Sequence, residues 1–66
     1  MIFFDDKKAI VTEFKKIIKI NEKQIIFQSN KKVVNINGNN MYISVYEKDE
    51  FEIKGEIFSI EINSKS

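Results

Sequence analysis

At 66 residues, with 11 Lys, 10 acidic residues and no Arg, His, Cys, Trp or Pro, the chain has room for one small domain and little chemistry. A domain of this size buries only about 60% of the surface its unfolded chain exposes, so packing or association has to stabilise it. Lack of Cys and His removes disulfides and the usual zinc, copper and haem ligands, and with them the neutral-pH base and the thiolate nucleophile; lack of Arg removes the bidentate phosphate clamp, so neither an enzyme nor a bound cofactor is expected.

The formal charge of +1 gives no reason to expect a polyanion partner, but its distribution is uneven: residues 1–32 hold eight Lys against four acids, and residues 33–66 three Lys against six acids. Such asymmetry can steer head-to-tail or partner contacts, and it can equally dissolve into a mixed solvated surface when strands interleave. No apolar run approaches the roughly 20 residues of a membrane span. The opening Met1-Ile2-Phe3-Phe4-Asp5-Asp6 reverses the charge order of a signal peptide, so a cytoplasmic protein is expected.

Taken in chain order, residues 1–8 read as a short leader. Residues 5–20 suit either of two structures. Ile10, Phe14, Ile17 and Ile18 fit one helix face with Asp5 or Asp6 as its cap, whereas Ile10, Thr12 and Phe14, then Ile18 and Ile20, alternate as two strands turning at Lys15-Lys16. From residue 24 onward, apolar residues recur at every second position. One face collects Ile25, Phe27, Val34, Ile36, Met41, Ile43, Val45, Phe51 and Ile53. Past Gly55 the parity changes, so that Phe58, Ile60 and Ile62 continue that face if Gly55 carries a bulge.

Asn37-Gly38-Asn39-Asn40 is the strongest hairpin signal, and Asn21-Glu22-Lys23, Ser29-Asn30-Lys31 and Glu47-Lys48-Asp49 are polar breaks of ordinary turn length. The fold class expected is all-β: an antiparallel meander of about six to seven short strands in a small barrel or sandwich spanning residues 1–66, with no internal repeat and a frayed tail over residues 63–66. Ile26, Val33, Tyr42, Tyr46 and Ile57 fall on the opposite face. They are the candidate interface for a second copy or another protein, unless the sheet closes into a barrel that buries them.

Three constellations invite a chemical reading. Asp49, Glu50, Glu52 and Glu56 lack the spacing of a calcium loop, and Glu50, Glu52 and Glu56 sit where strands need solvent-facing polar residues. Lys15, Lys16, Lys19, Lys23, Lys31 and Lys32 form a stripe with Phe14, Phe27 and Tyr42 nearby, the basis for an alternative function in nucleic-acid binding; solubilising edge lysines fit as well, because Phe14 and Phe27 fall on core positions. Gly38 and Gly55 stand alone, with no following helix to cradle a phosphate.

The segment Ile36-Asn-Gly-Asn-Asn-Met-Tyr-Ile43, followed after an acidic loop by Phe51-Glu-Ile-Lys-Gly-Glu-Ile-Phe-Ser-Ile-Glu-Ile62, resembles the carboxy-terminal signature of the YabP/YqfC family of sporulation proteins. There an I-x-G-x-x-L-x-I element precedes an I-x-G-x-I-x-x-I-E element. Ala9–Phe14, Lys15–Ile20 and Gln24–Gln28 resemble the upstream strands of the YqfC branch. Lys16 replaces a customary turn glycine, Asn30–Lys32 replace another, and the leader is short. The resemblance implies a small all-β protein without enzymatic activity, made in the mother cell of an endospore former, which assembles with itself or with a membrane-protein partner.

Overall fold

The computed structural model describes residues 1–64, which form strands β1 (Ile2–Phe4), β2 (Lys8–Thr12), β3 (Lys16–Ile20), β4 (Gln24–Ser29), β5 (Lys32–Glu47) and β6 (Glu50–Ser64). All neighbours are antiparallel, in one sheet ordered β1-β2-β6-β5-β4-β3. The all-β expectation holds. No described residue is helical, so the ambiguity over residues 5–20 resolves into β2 and β3. Ala9 and Val11 fill the buried side of β2, while Ile10 and Thr12 lie on its other side, the reverse of the expected alternation. The turn that follows is Glu13–Lys15 rather than Lys15-Lys16, and Glu13 has φ 62°. The first residues, read as a leader, supply β1.

The order also departs from a simple meander. After β2 the chain crosses to the far edge as β3, and only β6 returns to lie beside β2. The crossing is tied to both sides: the Glu13 N–H donates to the Asp49 carbonyl at 2.8 Å and the Lys15 N–H to the Gln28 carbonyl at 2.7 Å.

Asn37–Asn40, expected as the strongest hairpin, lies inside a strand. This stretch is no hairpin turn, because β5 continues through it and β6 runs alongside, with register shifts at Asn37/Gly38, Asn39/Tyr42 and Ile43/Val45. Each shift inserts one unmatched residue: Phe58 in β6, then one between Asn39 and Tyr42 and Ser44 in β5. Asn40 adopts φ 54°, a backbone that Asn tolerates better than most residues. Bulges bend strands. The sheet therefore folds over along these long strands into two layers, one holding β1, β2, Tyr42–Glu47 of β5 and Glu50–Lys54 of β6, the other holding β3, β4, Lys32–Asn37 of β5 and Ile57–Ser64 of β6. Phe27 of the second layer meets Phe51 of the first edge to face, centroids 5.3 Å apart, which places one core between the layers.

The bulge in β6 falls at Phe58, not at Gly55, and this moves side chains relative to expectation. Ile57, assigned to the interface, is core; Phe58, assigned to the core, is exposed, as is Ile62; Val45 is exposed because the extra residue Ser44 precedes it. Asn63 and Ser64 of the expected frayed tail belong to β6, and Lys65 and Ser66 lie outside the described residues.

A near-repeat also emerges that the sequence reading did not find. Asp5 Oδ1 accepts from the Lys7 and Lys8 N–H groups at 2.8 and 2.9 Å, and Asn21 Oδ1 accepts from the Lys23 and Gln24 N–H groups at 2.8 and 2.7 Å. Each turn then braces one long strand at its bend. Gly55 and Ile57 donate to the Lys7 and Asp6 carbonyls at 3.1 and 2.9 Å; Gly38 and Met41 donate to the Lys23 and Glu22 carbonyls at 3.0 and 2.8 Å.

Both glycines are demanded by this bend, for different reasons. Gly55 has φ 134°, and a Cβ there would lie 2.7 Å from the Asn40 carbonyl oxygen. Gly38 does not have a positive φ; a Cβ on it would collide with the Glu56 carbonyl oxygen, which is backbone and cannot swing away. Gly38→Ala and Gly55→Ala should each lower stability by about 1–3 kcal/mol. Urea midpoints of both variants will show it, and unchanged midpoints would mean that the bend does not need bare backbone.

Candidate interaction surface

Among the described residues, the inner face holds ten buried apolar residues, including Ile25, Phe27, Ile36, Phe51 and Ile53, and no buried polar residue. Phe14 closes one end of this core, edge to face with Phe51 at 4.8 Å and with Tyr46 at 6.1 Å. Ten large apolar residues remain exposed: Met1, Phe3, Phe4, Ile18, Ile20, Tyr42, Val45, Tyr46, Phe58 and Ile62. The buried ten include Ala9, so ten large apolar residues are exposed against nine buried, with Ile2, Phe14, Ile17, Ile43 and Ile60 packed partly buried against the core. Scattered single residues would mean nothing, but contiguous ones mark contact surfaces.

The five residues predicted as an interface do not form one patch. Ile57 is buried. Tyr46 stands opposite Phe51 on the inner face, at its rim. Ile26 and Val33 are half-buried on the outer face of the second layer, between polar neighbours: Ile26 lies beside Lys19 and Asn35, Val33 beside Gln28 and Asn63. Tyr42, beside Lys54, is on the outer face of the first layer. That second-layer outer face is mostly a polar ladder, in which the Asn37 Nδ2 donates to Ser59 Oγ at 3.4 Å. The first-layer outer face carries the row Phe3, Ile10, Glu52 and Val45, where the Ser44 hydroxyl donates to Glu52 Oε2 at 2.6 Å.

A second apolar feature has no counterpart in the sequence reading. Between β1 and the last part of β6 lies a cleft of about 350 Å³, lined by Met1, Ile2, Phe4, Ser29, Lys32, Val34, Ile60 and Ile62. It exists because β2 pairs with β6 only over Glu50–Lys54. Beyond the bend, β6 keeps β5 on one side and has no strand on the other. Only a contact map could have revealed this, since alternation identifies faces and not edges.

The charged groups offer less. No three carboxylates gather to hold a metal ion among the described residues. Glu50 pairs across the β5–β6 turn with Glu47, Glu52 receives Ser44, and Glu56 is exposed at the bend. Lys15, Lys16, Lys19, Lys23, Lys31 and Lys32 are exposed on β3, on turns and at the start of β5, but Phe27 is buried and Phe14 is packed against Phe51. Tyr42 stands in the other layer, beside Lys54. The rings named for stacking are thus not displayed along the lysine stripe.

The chain matches no protein-family model, no curated protein and no solved structure with which it was compared.

The division between core and surface makes opposite predictions for two aromatic rings. Phe51→Ala removes the ring that both Phe14 and Phe27 contact, and should cost about 3–5 kcal/mol. Tyr42→Ser, at a ring 56% exposed, should stay within about 0.5 kcal/mol of wild type. Chemical denaturation of the two variants distinguishes the sites.

Proposed function

We propose that this chain is a non-enzymatic protein-binding module that acts by burying its exposed apolar residues against itself or a membrane-protein partner during endospore formation. The observation that carries the binding part is the size of the exposed apolar set, ten large residues against nine buried in the core. Burying an Ile or Phe at an interface contributes about 1.5–3 kcal/mol. A few such residues are comparable with the whole stability expected of a small domain, roughly 5 kcal/mol at the low end. Composition supports the absence of catalysis, since His, Cys and Arg, which supply an imidazole base, a thiolate and a guanidinium clamp, are all absent.

The sporulation context is supported by the likeness of Ile36–Ile62 to the YabP/YqfC signature. Its two glycines coincide with positions whose backbone here tolerates no side chain, so the motif reads as a fold signature rather than a catalytic one. The sporulation resemblance predicts expression in the mother cell; localisation in its cytoplasm, or at a membrane through the partner, follows from the same reading.

Deleting the gene in the endospore former that carries it should lower the yield of heat-resistant spores, and its transcript should rise only in sporulating cells. A complementing copy with Phe3, Tyr42 and Val45 changed to Ser should accumulate as folded protein and still fail to restore spore yield. Normal spores from the deletion strain, with expression in vegetative growth, would overturn the sporulation reading. Full rescue by the triple variant would overturn the role of Phe3, Tyr42 and Val45.

A further inference from the structure

We infer that the cleft between β1 and the last part of β6 is a binding site for a single-chain amphiphile with a carboxylate head, the chemistry of a free fatty acid. The inference does not rest on the protein-binding reading, whose test residues Phe3, Tyr42 and Val45 do not line the cleft. It starts from where the exposed apolar residues lie. Of the ten, Met1, Phe4 and Ile62 meet at this one place, around a volume of about 350 Å³. That volume falls at the lower end of the roughly 300–1,000 Å³ of small-molecule sites. The floor belongs to the core: Val34 is 2% exposed, and Ile2 and Ile60 pack partly buried against the same cluster. The rim does not, since Phe4 and Ile62 are 61% and 57% exposed. An acyl chain laid on Val34 and Ile60 covers both rim residues and leaves the core as it is.

The β5–β6 register gives the cleft a direction. Ile60 stands opposite Ile36 nearest the bend, Ile62 opposite Val34, and Ser64 opposite Lys32 at the far end, where Ser29 pairs with Lys32 from β4. Four residues from Lys32 to Ile36 make this a run of about 13 Å. None of the eight lining residues is acidic, and Lys32 is the one charged side chain among them. The basic character continues past the lining. Lys31 precedes Lys32 in the turn, and Lys15 and Lys16 are held at the same end: the Lys15 N–H donates to the Gln28 carbonyl at 2.7 Å, and Lys16 pairs with Gln28. The acids nearby are directed elsewhere. Glu61 lies on the outer face, where the Asn35 Nδ2 donates to it at 3.5 Å, and Glu13 offers its carbonyl, not its carboxylate, to the Ser29 hydroxyl at 3.3 Å. With the Ser29 proton so engaged, Lys32 is the lining side chain left to donate to an anion. The cleft is thus apolar along its length and cationic at one end, which complements an acyl chain that ends in a carboxylate.

Calorimetric titration of the full chain with decanoate and with decylammonium, the same chain carrying the opposite head, tests the site below the concentrations at which either forms micelles. Decanoate should bind one to one with a dissociation constant below about 1 mM, and decylammonium roughly fivefold or more weakly. Lys32→Met should weaken decanoate by about three- to tenfold, and Lys32→Glu should reverse the order of the two ligands. Ile62→Ser should weaken both ligands alike. Lys32 and Ile62 are exposed, so circular dichroism of these variants should remain that of the wild type. Lys19→Met, on the far edge strand, should change neither affinity. Amide shift changes on adding decanoate should centre on Ile2, Val34, Ile60 and Ile62. An absence of decanoate binding at about 5 mM, the same loss from Lys19→Met as from Lys32→Met, or shift changes spread over the outer faces would each overturn the site. So would decanoate binding that fades as the chain dimerises with rising concentration, since a second copy would then be filling the cleft.

Discussion

The fold depends on a place where two backbones touch. β5 and β6 are neighbours for most of their lengths, and both must bend at the same level for the sheet to fold over its own core. Bending neighbouring strands together drives their backbones closer on the inside of the bend. Gly38 faces the Glu56 carbonyl and Gly55 faces the Asn40 carbonyl, so a methyl group at either position would hold the strands apart. The extra residue between Asn39 and Tyr42 and the extra residue Phe58 lie on either side of this contact, one in each strand. Bulges on both partners let the pair bend as a unit, with its ladder resuming on both sides.

The two turns that brace the bend show how the rest of the chain serves it. Phe4-Asp5-Asp6-Lys7-Lys8-Ala9-Ile10-Val11 and Ile20-Asn21-Glu22-Lys23-Gln24-Ile25-Ile26-Phe27 have the same order: an Asx residue, an acid, a lysine, a polar residue, then a strand with two core side chains. Each turn presents two consecutive carbonyls to a long strand, Asp6 and Lys7 to β6, Glu22 and Lys23 to β5. These groups satisfy N–H donors that a bend would otherwise strand without a partner, an outcome that is costly in a buried position. The two hairpins thus stand in an approximate two-fold relation about the bend.

This arrangement explains what the sequence revealed and what it hid. Strand faces were legible wherever alternation ran unbroken: Ile25 with Phe27, Val34 with Ile36, and Phe51 with Ile53 are all core as read. The failures cluster at bulges, since a single inserted residue exchanges faces and leaves no mark in composition. Asn37–Asn40 contains the residue types of a hairpin turn, and the same tolerance of positive φ serves Asn40 in a bent strand. Distinguishing the two requires knowing that β6 accompanies β5 past this point, a long-range fact. The near-repeat was hidden for a similar reason. Asp5 and Asn21 are 21 − 5 = 16 residues apart and Gly38 and Gly55 are 55 − 38 = 17 apart, but the paired segments share chemical order rather than identity.

The same bend that creates the core also creates the surface. A strand crossing from one layer to the other can keep a given neighbour only as far as that neighbour's own length allows. β2 and β4 end near the bend, so β6 outlasts β2 and β5 outlasts β4. Two inner half-edges are left open by this geometry. The one on β5 is covered at its end by Phe14, which the β2–β3 crossing carries to Tyr46 and Phe51. The one on β6 is approached only by β1, three residues long and separated from it by the apolar cleft. Closing that seam from within would need a longer first strand. With Phe4 followed at once by the Asp5 turn that braces Gly55, β1 cannot lengthen toward the bend without losing the brace. The open edge is therefore a consequence of how the bend is held, and it gives the chain a backbone template as well as apolar side chains with which to meet another protein.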